Sequence, residues 1–302
     1  MPASRRQLIV TAVSLVVLLL CAFVLWGRNH PKLPTTKVAP APLSVAVVEQ
    51  QGNPVHEMIG HSVEGRTIDA YTYGTGTTKL LFVGGMHGGY EWNGVLLAYT
   101  YMDYLSAHLS EIPAKLSIIV IPDINPDGVF KVIGKEGRFT TADVPASRDE
   151  SPGRFNANKV DLNRNFGCNW AATSAWKGNI VSGGTSAFSE PESRSLRDFV
   201  LKLRPVGVVF WHSQAGAVYA SECEHGVLPV TIDIMNAYAR AAGYPAVKSF
   251  SAYKVTGDSE GWLASVGIPA LTVELSTHDS VQWDKNLAGI KALVNYYNKL
   301  MQ

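Results

Sequence analysis

The chain has 302 residues, 46% of them hydrophobic, enough for one large domain with a full core. Its formal net charge is +1 with 17% charged residues, so no basic field points to nucleic acid as a partner. Residues 8–26 carry no charge and are about long enough to span a bilayer. Arg5 and Arg6 precede this run, Trp26 and Arg28 follow it, and no small-x-small cleavage site lies just beyond it. We therefore expect an uncleaved, single-pass anchor within a tail of residues 1–28. Arg28, Lys32 and Lys37 balance Arg5 and Arg6, so the flanking charges give no orientation. A short tail before one apolar span is the usual export arrangement, and the folded domain is expected outside the cytoplasm. Residues 29–43, rich in Pro, Thr, Lys and Ala, read as an extended linker, and residues 44–302 as one domain.

Along that domain, residues 80–83 form an apolar run that reads as a buried strand, and residues 95–109 follow with a helical pattern. Residues 116–121 are a second strand, ended by Pro122. Long loops are expected over 126–159 and 171–188, and loops of that length are often functional. Ser189-Glu190-Pro191-Glu192 reads as a helix start, with Ser189 as N-cap and Glu192 as its capping-box partner. That helix runs to about Leu203, a strand follows at 206–210 and a helix at 231–242. A strand at 270–275 and a closing helix at 287–301 complete the pattern. Alternation of this kind predicts an α/β domain with a mixed, mostly parallel central sheet flanked by helices.

Three predicted strand ends carry polar groups: His87 and Glu91, then His212, then Glu274. Ligands bind at strand C-termini in such sheets. Two imidazoles and one carboxylate suit a catalytic zinc and leave residual positive charge to activate water, and a further Glu can take the proton. Taken singly, each residue has an ordinary structural explanation; their joint placement is what points to a site. Cys168 and Cys223 either pair in an oxidising compartment or remain buried thiols, and the sequence leaves both open.

From residue 55 to the end, the chain resembles the zinc metallocarboxypeptidases, including a bacterial branch acting on cell-wall peptides. The segment 59–66, Asn125-Pro126-Asp127-Gly128, Asp161-Leu162-Asn163-Arg164-Asn165-Phe166, the helix start at Ser189 and the Tyr253 segment carry the resemblance, in order. It implies one Zn2+ per chain held by His87, Glu91 and His212, with Glu274 as general base and then acid. It further implies that Asn163 and Arg164 hold the substrate's terminal carboxylate, a natural bidentate task for Arg. Arg154 would polarise the scissile carbonyl and Tyr253 would close over the substrate, although Arg138 and Arg148 share the long loop with Arg154. Glu260 falls where the family keeps its side-chain pocket residue, which implies a basic or diamino-acid C-terminus. The expected substrates are peptides or peptidoglycan stem peptides.

In one respect the chain departs from the family pattern. The first His and Glu are usually two residues apart in between; here Gly88, Gly89 and Tyr90 intervene. The two glycines are expected to loop out the extra residue so that Glu91, not Tyr90, faces the metal. Two rival readings remain: a deacylase of N-acyl amino acids with the same fold, and a catalytically dead peptide-binding protein.

Overall fold

The structure, a computed structural model, describes residues 54–302 except 147, 148 and 252. The expected anchor and linker, and Arg148, lie outside the described residues. Among the described residues no helix is long and apolar enough to cross a membrane.

Strands β1 (Val55–His61), β2 (Thr67–Tyr73), β3 (Thr78–Val83) and β4 (Leu116–Ile121) make one half of an eight-stranded sheet. A separate hairpin, β5 (Thr173–Trp176) and β6 (Asn179–Ser182), interrupts the chain. The second half of the main sheet is β7 (Gly207–Ser213), β8 (Val218–Ala220), β11 (Ala246–Val247) and β12 (Ala270–Leu275). A small hairpin of β9 (Glu222–Cys223) and β10 (Gly226–Val227) lies between. The strand order is β1-β2-β4-β3-β7-β12-β8-β11. The centre, β4-β3-β7-β12, is parallel, whereas β1, β2 and the β12–β8 pair are antiparallel. The sheet is thus mixed and largely parallel, as expected.

Among the described residues six helices flank it: α1 (Trp92–Ala107), α2 (Pro126–Ile133), α3 (Pro191–Leu203), α4 (Pro229–Ala242), α5 (Ser259–Ser265) and α6 (Trp283–Leu300). The period-2 alternation of β3 divides its side chains between two cores. Leu80 and Phe82 pack with residues of α1, α4 and α6, while Leu81 and Val83 pack with residues of α3 and α5. Burying both faces explains why the central strands read as continuous apolar runs.

Two boundaries differ from the sequence reading. Helix α3 begins at Pro191 with Glu190 as N-cap, not Ser189. Ser189 Oγ instead donates to Glu190 Oε1, and Glu192 accepts from Val63 N and Asn156 Nδ2, so tertiary partners displace the capping box. Neither long loop is structureless. The first opens with α2, where the Asn125 side chain accepts from Gly128 N and Pro126 fills the first turn. The second holds the β5–β6 hairpin.

Candidate metal centre

From β3 the chain passes through α1 to β4 on one side, while β7 lies on the other side of β3. The sheet order therefore reverses between β3 and β7, and a crevice opens beyond the carboxyl ends of the strands at such a point. His87 follows β3, and His212 lies near the end of β7. Glu274 pairs in register with His212 across β7–β12, so both side chains lie on one sheet face.

The extra residue between His87 and Glu91 is absorbed by a 3-10 turn, Gly88–Glu91. Gly88 adopts φ +45, and a Cβ there would sit 2.7 Å from Gly153 O. A Cβ on Gly89 would sit 2.6 Å from Gly128 O. Both glycines are needed for the turn to lie against α2 and the 151–154 segment. The turn points Tyr90 away, with its ring 5.2 Å from Trp176 and 4.7 Å from His278. Glu91 faces the centre, as expected.

Glu91 Oε1 lies 2.8 Å from His87 Nδ1, and Oε2 lies 2.9 Å from His212 Nδ1. The two Nδ1 atoms are 3.2 Å apart. Tetrahedral zinc, with bonds of about 2.0–2.1 Å, spaces its donors about 3.3 Å apart. The His87, Glu91 and His212 set, all buried, therefore fits a zinc ion. On the outer side, His87 Nε2 lies 3.5 Å from Asp161 Oδ1 and His212 Nε2 lies 3.3 Å from Glu260 Oε1. These are ion-pair distances without hydrogen-bond alignment. A carboxylate behind each ring favours the Nε2–H tautomer and leaves the Nδ1 lone pair for metal.

The electrostatics ask for a cation at the centre. Burial alone would raise the Glu91 carboxyl, but His87 and His212 hold it well below the usual range. Burial works against a charge on His212, yet Glu91 and Glu260 raise its pKa well above normal. Burial, then the Glu91 charge, pushes the Glu274 carboxyl up to about 7. Ala215 N donates to Glu274 Oε2 at 3.2 Å.

Other expected site residues surround the same cleft, which has a volume of about 990 Å³. Asn163 and Arg164 lie in a 3-10 turn, Leu162–Arg164, capped by the Asp161 side chain. Asn163 Oδ1 accepts from Ser259 N, turning the amide's donor end away from Ser259. Arg164 Nε is buried with no hydrogen-bond partner among the described residues. Arg154 Nε donates to Asp161 Oδ2 at 2.9 Å, Nη2 lies 2.7 Å from the same oxygen, and Nη1 lies 3.9 Å from Glu91. Tyr253 is 40% exposed at the rim, against Phe250. Glu260 lines the cleft, but Thr272 Oγ1 and Ser259 Oγ donate to its carboxylate, and its charged form is stabilised through His212.

Three contributors were not singled out from sequence: Asp161 behind His87, His278 beside Tyr90, and the Trp176-Lys177 hairpin tip over the cleft. The Asp161 to Phe166 block carries the family resemblance as a whole, and nothing local in it signals the Asp161 contact to His87. Cys168 and Cys223 form a disulfide, with Cα atoms 6.2 Å apart, which joins two cleft walls.

A mixed α/β sheet with a His/Glu/His donor set at its switch point defines a metallohydrolase-like scaffold. Residues 46–285 match the zinc carboxypeptidase family, and the chain belongs to that family. Zinc is the family's metal, and His87, Glu91 and His212 form the site that could hold it. A 154-residue stretch is 28% identical to carboxypeptidase B of Astacus astacus, covering 48% of this chain and 49% of that protein. The chain thus spans about half the length of this curated relative. Among solved structures, murein-tripeptide amidase MpaA of Escherichia coli O157 is similar at TM-score 0.57 and 23% identity, covering 80% of this chain and 92% of that one. Bovine thrombin-activatable fibrinolysis inhibitor is similar at TM-score 0.64 and 18% identity, covering 82% and 88% respectively. At such identities these two structures establish the fold.

Proposed function

We propose that this protein is a zinc-dependent carboxypeptidase that removes a C-terminal residue from peptides, cell-wall stem peptides among them. The observation that carries this reading is the in-register pairing of Glu274 with His212, which sets a carboxylate of raised pKa beside a zinc-fitting donor set. When bound, zinc supplies Lewis acidity for the scissile carbonyl and for attacking water. A cation at the donor set also lowers the Glu274 pKa, favouring the proton-accepting carboxylate. Glu274 takes a proton from the attacking water and returns it to the departing amine nitrogen as the C–N bond breaks. Asn163 and Arg164 hold the terminal carboxylate, Arg154 stands beside the carbonyl oxygen, and Tyr253 covers the substrate from the rim. Glu260 and Asp161 orient His212 and His87.

The disulfide supports work in an oxidising compartment. With the apolar run at 8–26, this favours a membrane-tethered enzyme acting outside the cytoplasm. Metal analysis combined with product analysis on a peptide, a stem peptide and an N-acyl amino acid tests the reading. Zinc at one per chain and release of a C-terminal residue are expected. Glu274→Gln should keep the zinc and lose about 100-fold or more in kcat. Cleavage of the N-acyl amino acid alone would make the protein a deacylase, and zinc-free protein without hydrolysis would make it a binding protein.

A further inference from the structure

The β5–β6 hairpin ends in a two-residue turn, since Trp176 pairs with Asn179. Lys177 and Gly178 both have positive φ, +48 and +79. That is the tight turn in which Asn, Asp or Gly is the usual first residue. A lysine there sits in the left-handed region against its own steric preference, and strain of this kind concentrates at functional positions. Its side chain lies along the cleft wall. Nζ donates to Tyr90 Oη at 2.7 Å, and stands 5.5 Å from the Tyr90 ring centroid and 5.6 Å from that of Trp176.

The cradle beneath is fixed from below. Asn93 Nδ2 donates to Thr277 O and Ser280 O, so its Oδ1 accepts the Ser213 hydroxyl proton. Ser213 Oγ must then accept from His278 Nδ1–H at 2.7 Å, which sets the His278 ring against Tyr90. Arg154 packs 4.6 Å from the same Trp176 ring, but Asp161 neutralises it. Lys177 has no carboxylate partner among the described residues, and an ammonium has three donors, of which Tyr90 takes one. The wall formed by Tyr90 and Trp176 therefore carries a cation with open donors.

We infer that Lys177 is a specificity residue that binds a carboxylate on the substrate residue preceding the scissile bond. This rests on the peptidase reading above and adds the chemistry of its acyl side. With the terminal carboxylate assigned to Asn163 and Arg164, Lys177 in the lining of the same cleft is left to take a second anionic group on the substrate. Acidic penultimate residues are thus preferred over their amides.

The test compares two peptides that share a C-terminal residue and differ only in Glu or Gln before it. Wild-type zinc enzyme should favour the Glu peptide about fivefold in kcat/KM, through KM, and high salt should shrink the ratio. Lys177→Asn suits the turn and removes the charge; the ratio should fall to about one. Lys177→Arg should retain the preference. A wild-type ratio of one or below, a ratio surviving in Lys177→Asn, or one lost in Lys177→Arg would each overturn the assignment. Failure of wild-type enzyme to cleave either peptide would instead overturn the proposed function, and the subsite with it.

Discussion

Replacing Gly88 by alanine puts a methyl carbon 2.7 Å from Gly153 O and 2.9 Å from Gly128 Cα. Both are backbone atoms, so no side chain can rotate away, and overpacking of this kind costs about 1–3 kcal/mol. The residue also holds φ +45, where a Cβ costs roughly 1 kcal/mol more. Relief of about 2–4 kcal/mol is available if the Gly88–Glu91 turn lifts off α2, which withdraws Glu91 from His87 and His212. At about 1.4 kcal/mol per tenfold, zinc affinity should fall about 30- to 700-fold. Competition with a chromophoric chelator measures this directly, and thermal unfolding of the metal-free protein measures whatever share of the strain is not relieved. Gly88→Ala protein with wild-type zinc affinity and a wild-type melting temperature would refute the account of how the longer spacing is accommodated.

Glu260→Gln should weaken zinc binding about 10- to 100-fold by loosening His212, and the same protein should reveal, with basic and apolar C-terminal peptides, whether Glu260 also selects the substrate. Asp123 is buried, and burial pushes its carboxyl up to about 8. The native state therefore holds a proton there that the unfolded chain releases near its ordinary value of 3.8, so stability should fall as pH rises from about 4 to 8. Asp123→Asn should flatten that decline in denaturant titrations at several pH values. Replacing both Cys168 and Cys223 by serine opens a loop with a sequence separation of 55. Chain entropy assigns that closure about 4 kcal/mol, readable as a lower denaturation midpoint.

The parallel core was legible because its strands are buried on both faces and their apolar runs end at turn-forming residues. The donor set was legible because each ligand follows or ends such a run. What escaped the sequence depended on partners distant along the chain. Ser189 has every local feature of an N-cap, yet Asn165 and Glu190 engage its hydroxyl. Asn125-Pro126 carried a helix-start signal inside a segment expected to be loop. The run from Thr173 to Ser182 has a Lys-Gly turn between strand-compatible residues, a weak hairpin signal, and nothing local to it says that it overhangs a cleft. Lys177 became visible only once Tyr90, 87 residues earlier, lay under it.

The pairing of β12 with β7 acts as a ruler. His212 and Glu274 meet because six consecutive residues align across two strands. One inserted residue upstream in β12 would turn Glu274 onto the opposite sheet face, among the apolar side chains packed under α1, α4 and α6. Such an insertion would place an unpaired carboxylate in that core, so chemistry and folding would fail together. The β5–β6 hairpin is bound by no such constraint, being outside the main sheet. Length changes at its tip can retune which substrates enter while the aligned strands keep the reaction centre intact.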